Sequence, residues 1–234
     1  MSVQPERGEE LAPLMGQRAT VYHFLAMLYK EEVSPAMLKK LSLLKGSLKG
    51  EPAAELATNF NDLLKSLTEI DMGNRKPSKE EMDQDYANLF LGTGPHPAFP
   101  YESVYLSPNR CLMDEPYDQV IKEYRAYGVR KATNFKEPED HLAVELAFMA
   151  RLCEDTATAF GQADLSKGTE LLPAQRRFLE AHLLSWVPAF TEDVLRGART
   201  EVYQNVAKFT RAFISFDHQL LACLSSSLEM GQQT

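Results

Sequence analysis

The densest group of chemically capable side chains lies in the stretch 134–152, which reads NFKEPEDHLAVELAFMARL. Its first half holds one histidine and three carboxylates: Glu137, Glu139, Asp140 and His141. The second half is apolar apart from Glu145 and the later arginine. Such a set could serve three kinds of site, namely a catalytic acid–base pair, a metal centre, or the polar anchor of a binding groove.

For catalysis, His141 could act as a general base held by Asp140 or Glu145. The only tempting nucleophile is Ser103, which lies in YESVY and not in a G-x-S-x-G elbow. The four-residue spacing of His141 and Glu145 also suits a purely structural pair on a helix. A hydrolase that uses His141 with a carboxylate therefore remains an alternative.

The sequence contains no recognisable metal or nucleotide motif. It has five histidines but no Glu-x-x-His, no His-Glu-x-x-His and no EF-hand loop. Its three cysteines form no Cys-x-x-Cys pair, and no glycine-rich phosphate loop is present. We therefore expect no metal and no cofactor.

The third interpretation is a groove beside a proline-rich loop. The segment 92–109 contains four prolines and two glycines, which predicts a long ordered loop without a helix. Buried Glu145 would need a partner, and His141 is the nearest candidate. Apolar groove walls are predicted from Tyr86, Leu89, Phe90, Phe99 and Tyr101, and acidic edges from Glu102, Glu137 and Asp140. Such a groove suits a peptide that is part apolar and part basic, although a place in the core suits the aromatic residues equally.

These residues must be positioned by helices, because the apolar periodicity is helical nearly throughout. The predicted fold class is all-α, a single-domain bundle of about eight to ten helices over 1–234 with a long ordered Pro-rich loop. The predicted helices are about 9–30, 34–45, 51–70, 78–92, 115–127, 137–159, 173–186 and 200–229. Pro138 is predicted in the first turn of its helix, and Pro188 is expected to kink or restart the chain.

Composition limits the partners. The chain has 234 residues, 44% of them hydrophobic, and a formal net charge of −8. This acidity, without any basic block, argues against nucleic acid and favours a basic peptide. No apolar run approaches a membrane span, and the polar start is unlike a secretory signal, so a cytoplasmic protein is expected.

Three stretches resemble the TorD/DmsD/NarJ family of redox-enzyme maturation chaperones: YANLFLGTG…PYESVY (86–105), EPEDHLAVELAFMARL (137–152) and HLLSWVPAF (182–190). The resemblance implies an all-helical, cytoplasmic, non-enzymatic protein. It would bind the twin-arginine signal of a molybdopterin oxidoreductase catalytic subunit and delay export until cofactor insertion and folding are complete.

The resemblance also implies site residues. Those that would line or shape the peptide site are Tyr86, Leu89, Phe90, Pro100, Tyr101, Glu102, Ser103, Pro138, Asp140 and His141, to which the groove argument adds Phe99 and Glu137. Glu145 and Trp186 are predicted as structural support. A NarJ-like branch that serves a non-exported molybdoenzyme remains open. Some relatives form domain-swapped homodimers or have been proposed to bind guanine nucleotides weakly, and the identity of the client oxidoreductase is not given by the sequence.

Overall fold

A computed structural model describes residues 4–34, 37–38, 54–71 and 77–230. Within these ranges the chain is helical and contains no strand, which confirms the all-α prediction. The elements are α1 (Gln4–Lys30), α2 (Ala54–Asp71), α3 (Lys79–Phe90), α4 (Glu102–Leu106), α5 (Glu115–Ala126), α6 (Leu142–Gly161), α7 (Leu165–Phe178), a π-helical turn (Leu179–Leu183), α8 (Leu184–Gly197) and α9 (Glu201–Met230). Of the helix predicted over 34–45, the structure describes 34 and 37–38, where the Met37 N–H donates to the Ser34 hydroxyl at 3.2 Å; the other residues of that helix lie outside the described ranges.

The core is built around α6, which packs most extensively against α1. Its face of Leu142, Leu146, Met149 and Cys153 is fully buried, as expected of a helix that is apolar most of the way round. The last helix, α9, packs against α2 and α8 with its stripe of phenylalanines turned inward. The buried apolar side chains form one continuous cluster.

A buried ionic network joins three of these helices. Arg18 of α1 donates to both carboxylate oxygens of Asp217 on α9, at 2.5 and 2.8 Å, and to Gln175 of α7 at 2.6 Å. The Tyr22 hydroxyl donates to the same carboxylate at 2.6 Å. Because every charge here has hydrogen-bonding partners, the network is compatible with full burial.

The predicted start of the central helix is wrong by five residues. Residues 137–140 are not helical, and α6 begins at Leu142 with His141 as its N-cap. The His141 Nδ1 atom accepts a hydrogen bond from the Ala143 backbone N–H at 3.0 Å. Pro138 therefore precedes the helix and does not occupy its first turn.

Two further boundaries differ from the predictions. The segment 92–109 is not free of helix, because α4 forms in the proline-free stretch between Pro100 and Pro108. The helix predicted over 173–186 is interrupted by the π-helical turn, and Pro188 lies inside α8, five residues after that turn ends.

Candidate functional site

The two motifs singled out in the sequence are in direct contact. Tyr101 and His141 form an isolated antiparallel bridge, and their rings meet edge to face with centroids 5.1 Å apart. The Leu142 backbone N–H donates to the Pro100 carbonyl at 2.8 Å. This pairing keeps the backbone before α6 extended, which explains why the helix begins late.

Asp140 is fully buried and accepts hydrogen bonds from the first residues of α4. Its Oδ2 atom accepts a hydrogen bond from the Ser103 N–H at 2.9 Å, and its carbonyl accepts from the Glu102 N–H at 3.0 Å. The Oδ1 atom has no hydrogen-bond partner among the described residues. Burial raises the pKa of this carboxyl above its usual range.

A second buried carboxyl pair lies behind α4. Both oxygens of Glu102 lie close to the His182 Nδ1 atom, at 3.0 and 3.1 Å. The Glu145 Oε2 atom accepts a hydrogen bond from the Trp186 indole N–H at 3.1 Å. Burial, reinforced by the carboxylates of Glu102 and Asp140, holds the pKa of Glu145 well above its usual range. The predicted pairing of Glu145 with His141 is therefore wrong. The hydrogen-bond donor to Glu145 is the Trp186 indole.

His141 is poorly suited to catalysis. Its side chain is buried, Phe135 packs edge to face against it at 5.2 Å, and burial together with the charge of Lys131 lowers its pKa to about 3. The Ser103 hydroxyl accepts a hydrogen bond from the Met113 N–H at 3.2 Å. With the histidine neutral and its Nδ1 atom occupied by Ala143, the described contacts contain no nucleophile–base pair.

The described residues contain no metal-binding group either. No cluster of three or more His, Cys, Asp or Glu side chains has a geometry suited to a metal ion within this part of the chain. The polar residues are instead used to join the loop to the helices. These polar residues therefore have a structural role: they hold the surface beside them in place.

Several predicted site residues do not reach that surface. Tyr86, Leu89 and Phe90 are buried in the core, so they do not form the predicted surface walls. Glu102 and Asp140 are also buried, so they do not supply acidic edges. The surface is reached by Phe99 and, in part, by Tyr101, Glu137 and Pro138. Pro100 and Ser103 are buried beneath them.

The exposed surface beside this junction is unusually apolar. All large hydrophobic side chains that are exposed among the described residues fall within 91–113: Leu91 (60%), Phe99 (38%), Leu106 (39%), Leu112 (52%) and Met113 (58%). The same segment borders a cavity of about 520 Å³, here called the loop groove, lined by Pro95, His96, Pro97, Phe99, Val104, Tyr105, Arg110, Leu112, Asp193 and Arg196. Leu112 and Met113 were not among the predicted site residues, although their apolar side chains within a turn-rich stretch were an available signal.

Backbone and side-chain hydrogen bonds hold the loop groove together. The Ala98 N–H donates to the Leu89 carbonyl at 2.8 Å, and the Tyr105 hydroxyl donates to Asp193 of α8 at 3.0 Å. At the end of α8, a Cβ atom on Gly197 would overlap the His96 carbonyl oxygen. Only glycine therefore lets the loop approach α8 so closely.

Comparison with known proteins gives consistent matches. Residues 49–192 match the family described as nitrate reductase delta subunit. A chaperone protein TorD from Vibrio cholerae is 32% identical over 216 residues, which cover 91% of this chain and 96% of the relative. The Aliivibrio salmonicida chaperone protein TorD is 27% identical, covering 91% of this chain and 98% of the relative.

A more distant likeness is found to a solved redox enzyme maturation protein from Archaeoglobus fulgidus. It has 19% sequence identity and a TM-score of 0.46, with 86% of this chain and 93% of the other covered. No helix of the described residues is long and apolar enough to cross a membrane.

The relatives are chaperones by name, and the family match spans more than half of the chain. These findings agree with the motifs at 86–105 and 137–152. The protein is a chaperone and not an enzyme, and it belongs to the TorD/DmsD/NarJ family of redox-enzyme maturation chaperones.

Proposed function

We propose that this chaperone binds the N-terminal twin-arginine signal peptide of a molybdopterin oxidoreductase catalytic subunit. It acts in the cytoplasm on the apo-form of that subunit and delays its export until cofactor insertion and folding are complete. The observation that carries the proposal is the confinement of the exposed large apolar side chains to 91–113, beside the loop groove.

The groove has a size and polarity suited to the apolar part of such a signal. A cavity of about 520 Å³ can accept several side chains of a peptide. Exposed Phe99 and Leu112 on its walls lose contact with water when an apolar segment covers them. Phe99 and Leu112 line the same cavity, and exposed apolar side chains gathered at one cavity are a common mark of a binding site.

The predicted site residues fall into two groups under this proposal. Phe99, Tyr101 and Glu137 reach the surface and would meet the peptide. Buried residues such as Asp140 and His141 hold the loop against α6 and would act through the shape of the site. Substituting the second group would therefore change folding as well as binding.

The test is a calorimetric titration with the synthetic signal peptide of the molybdoenzyme encoded nearest this gene. We expect micromolar or tighter binding, weakened when both arginines of the peptide become alanine. Phe99→Ser and Leu112→Ser should each weaken affinity by about 2 kcal/mol, roughly 30-fold. Leu171→Ser, a partly exposed leucine of α7 outside the groove, is the matched control. Absence of heat with folded protein for every neighbouring signal would refute the proposal.

A second client type is favoured by the match to the nitrate reductase delta subunit family. In that case the client is a molybdoenzyme that stays in the cytoplasm. Its N-terminal peptide would bind the same groove, but replacing the arginines by alanine would leave the affinity unchanged. The arginine control therefore separates the two. A single domain over 1–234, a domain-swapped homodimer and weak guanine-nucleotide binding stay predictions.

A further inference from the structure

We infer that the peptide surface has a direction, because its two ends carry opposite charge. The basic N-terminal part of a bound signal lies at Glu31, Glu32 and Glu137, here called the acidic end. The residues that follow its apolar region lie at Arg110 and Arg196, here called the basic end. The inference rests on the proposed function and adds residues that the motifs do not contain.

The basic end is part of the loop groove itself. The side chains of Arg110 and Arg196 line the cavity and are 66% and 74% exposed. Asp193 lies between them, with its Oδ2 atom 3.8 Å from Arg110 Nη2 and its Oδ1 atom paired with Arg196. One carboxylate facing two guanidinium groups leaves a net positive charge at this end.

The acidic end lies where the last turn of α1 meets Phe135 and Tyr86, and the Phe135 ring in turn packs on His141. The Tyr86 hydroxyl donates to the Tyr29 carbonyl at 3.1 Å, which places this ring under the end of α1. Glu31 and Glu32 follow directly, and both are exposed. Their carboxylates are therefore accessible to solvent beside the end of α1.

Glu137 belongs to the same acidic end. Its carboxylate accepts a hydrogen bond from the Tyr101 hydroxyl at 2.5 Å. Burial raises the pKa of the Tyr86 hydroxyl, and the carboxylates of Glu32, Glu137 and Glu31 raise it further. All three carboxylates are therefore close enough to the buried Tyr86 hydroxyl to act on it.

Neighbouring cations offset the acidic end only in part. Lys30, Arg130 and Lys131 line a pocket beside Phe135, and together with Glu139 the three acidic-end carboxylates outnumber them by one. Lys131 pairs with Glu139 at 3.7 Å and also donates to the Glu137 backbone carbonyl. Lys30 lies over the Phe135 ring, with its Nζ atom 5.8 Å from the centroid. Within the described part of the chain, none of the three acidic-end carboxylates forms an ion pair with a lysine or arginine.

The two ends are joined through one short stretch of chain. Phe99 lines the groove beside the basic end, and Tyr101, two residues later, bonds to Glu137 of the acidic end. A twin-arginine signal begins with positive charge and continues with an apolar run. In the assigned direction its arginines meet carboxylates, whereas the reverse direction places them beside Arg110 and Arg196.

Cys111 provides a natural reporter of this direction. It is an exposed free thiol between Arg110 and Leu112, while Cys153 is buried and exposed Cys223 lies on α9. A signal peptide carrying a bromoacetyl group at its C-terminal end should alkylate Cys111 at least about fivefold faster than one carrying the group at its N-terminus. Equal rates, or a faster N-terminal probe, would overturn the inference. The labelling rate of Cys223 measures how fast either probe alkylates an exposed thiol that does not line the groove.

The opposite end is tested with Glu32→Cys in a Cys111→Ser background. There the N-terminal probe should react faster, and the reverse preference would again overturn the inference. Replacing Glu31 and Glu32 by glutamine should raise the Kd about tenfold at low salt, with Glu170→Gln of α7 as the control. Calorimetry on the same peptides keeps the claims separate: no binding refutes the proposed function, whereas binding with the wrong labelling preference refutes only the direction.

Discussion

The Trp186 indole N–H donates a hydrogen bond to Glu145 at 3.1 Å, and both side chains are fully buried. This contact joins α6 to α8, the helix that carries Asp193 and Arg196 of the loop groove. A carboxyl with a raised pKa can accept this bond while remaining uncharged. The pair thus links the polar motif before α6 to the surface that we propose for the peptide.

Glu145→Gln should stabilise the protein at alkaline pH. The folded-state pKa of Glu145 lies above its ordinary value of 4.5, so its favourable contribution is complete below that value and is lost as pH rises towards the folded-state pKa. Glutamine keeps an acceptor for Trp186 but does not titrate. In urea denaturation, the free energy of unfolding of the variant relative to that of the wild type should rise by up to about 1.4 kcal/mol per pH unit over that window. Glu137→Gln is the partly exposed control, and parallel pH profiles for Glu145→Gln and wild type would contradict the prediction.

His141→Asn should reduce the sensitivity of the protein to acid. The pKa of His141 falls from an ordinary value of 6.5 to about 3, so the unfolded chain takes up a proton that the folded chain excludes. Wild-type stability is therefore lost as pH falls below about 6.5, by up to about 1.4 kcal/mol per unit. Asparagine can still cap α6 but does not titrate. Chemical denaturation at pH 7, 6 and 5 should show a flatter profile than that of His23→Asn, which changes an exposed histidine.

Asp217→Ala should destabilise the fold strongly. It leaves Arg18 buried without its carboxylate, and breaking such pairs typically costs about 3–5 kcal/mol of unfolding free energy. Adding Arg18→Met should recover part of this loss, because the unpaired charge is then removed. Denaturant titration measures both effects, and a single-variant loss under about 1 kcal/mol would show that the network is not a determinant of stability.

Gly197→Ala should displace the loop from α8. The added methyl group would meet the His96 carbonyl and Leu89, so we expect a loss of about 1–3 kcal/mol and weaker signal-peptide binding. Gly16→Ala in α1 is the matched control, because no atom lies within 4 Å of its Cβ position. Helix propensity predicts that this control is neutral or stabilising by up to about 1 kcal/mol. Equal melting temperatures and affinities for the two variants would argue against the close packing of the loop.

Helices with local start signals were predicted well. The capping box before α3 is present: the Ser78 hydroxyl accepts from the Glu81 N–H at 3.2 Å, and the Glu81 carboxylate accepts from the Ser78 N–H at 2.8 Å. Both partners lie within four residues, so sequence alone contains the whole interaction. The apolar residues of α9 recur at helical spacing, so this helix was also predicted from its local sequence alone.

Boundaries that depend on distant segments were predicted less well. The start of α6 is set by the pairing of 100–102 with 140–142, and no signal near residue 137 reveals that partner. The assignment of His141 as the partner of Glu145 failed for a related reason. Helical spacing allowed that pair, but Trp186, 41 residues away, supplies the donor.

The fold class follows from the apolar periodicity, and the family follows from the motif resemblance and the sequence matches, so both are available without a structure. Which of the motif residues reach solvent depends on the tertiary structure. Asp140 and Glu102 are buried by segments far away in the chain, while Leu112 is left exposed. Burial depends on the neighbours that folding brings together, so the position of the apolar surface and the opposite charges at its ends emerge only in three dimensions.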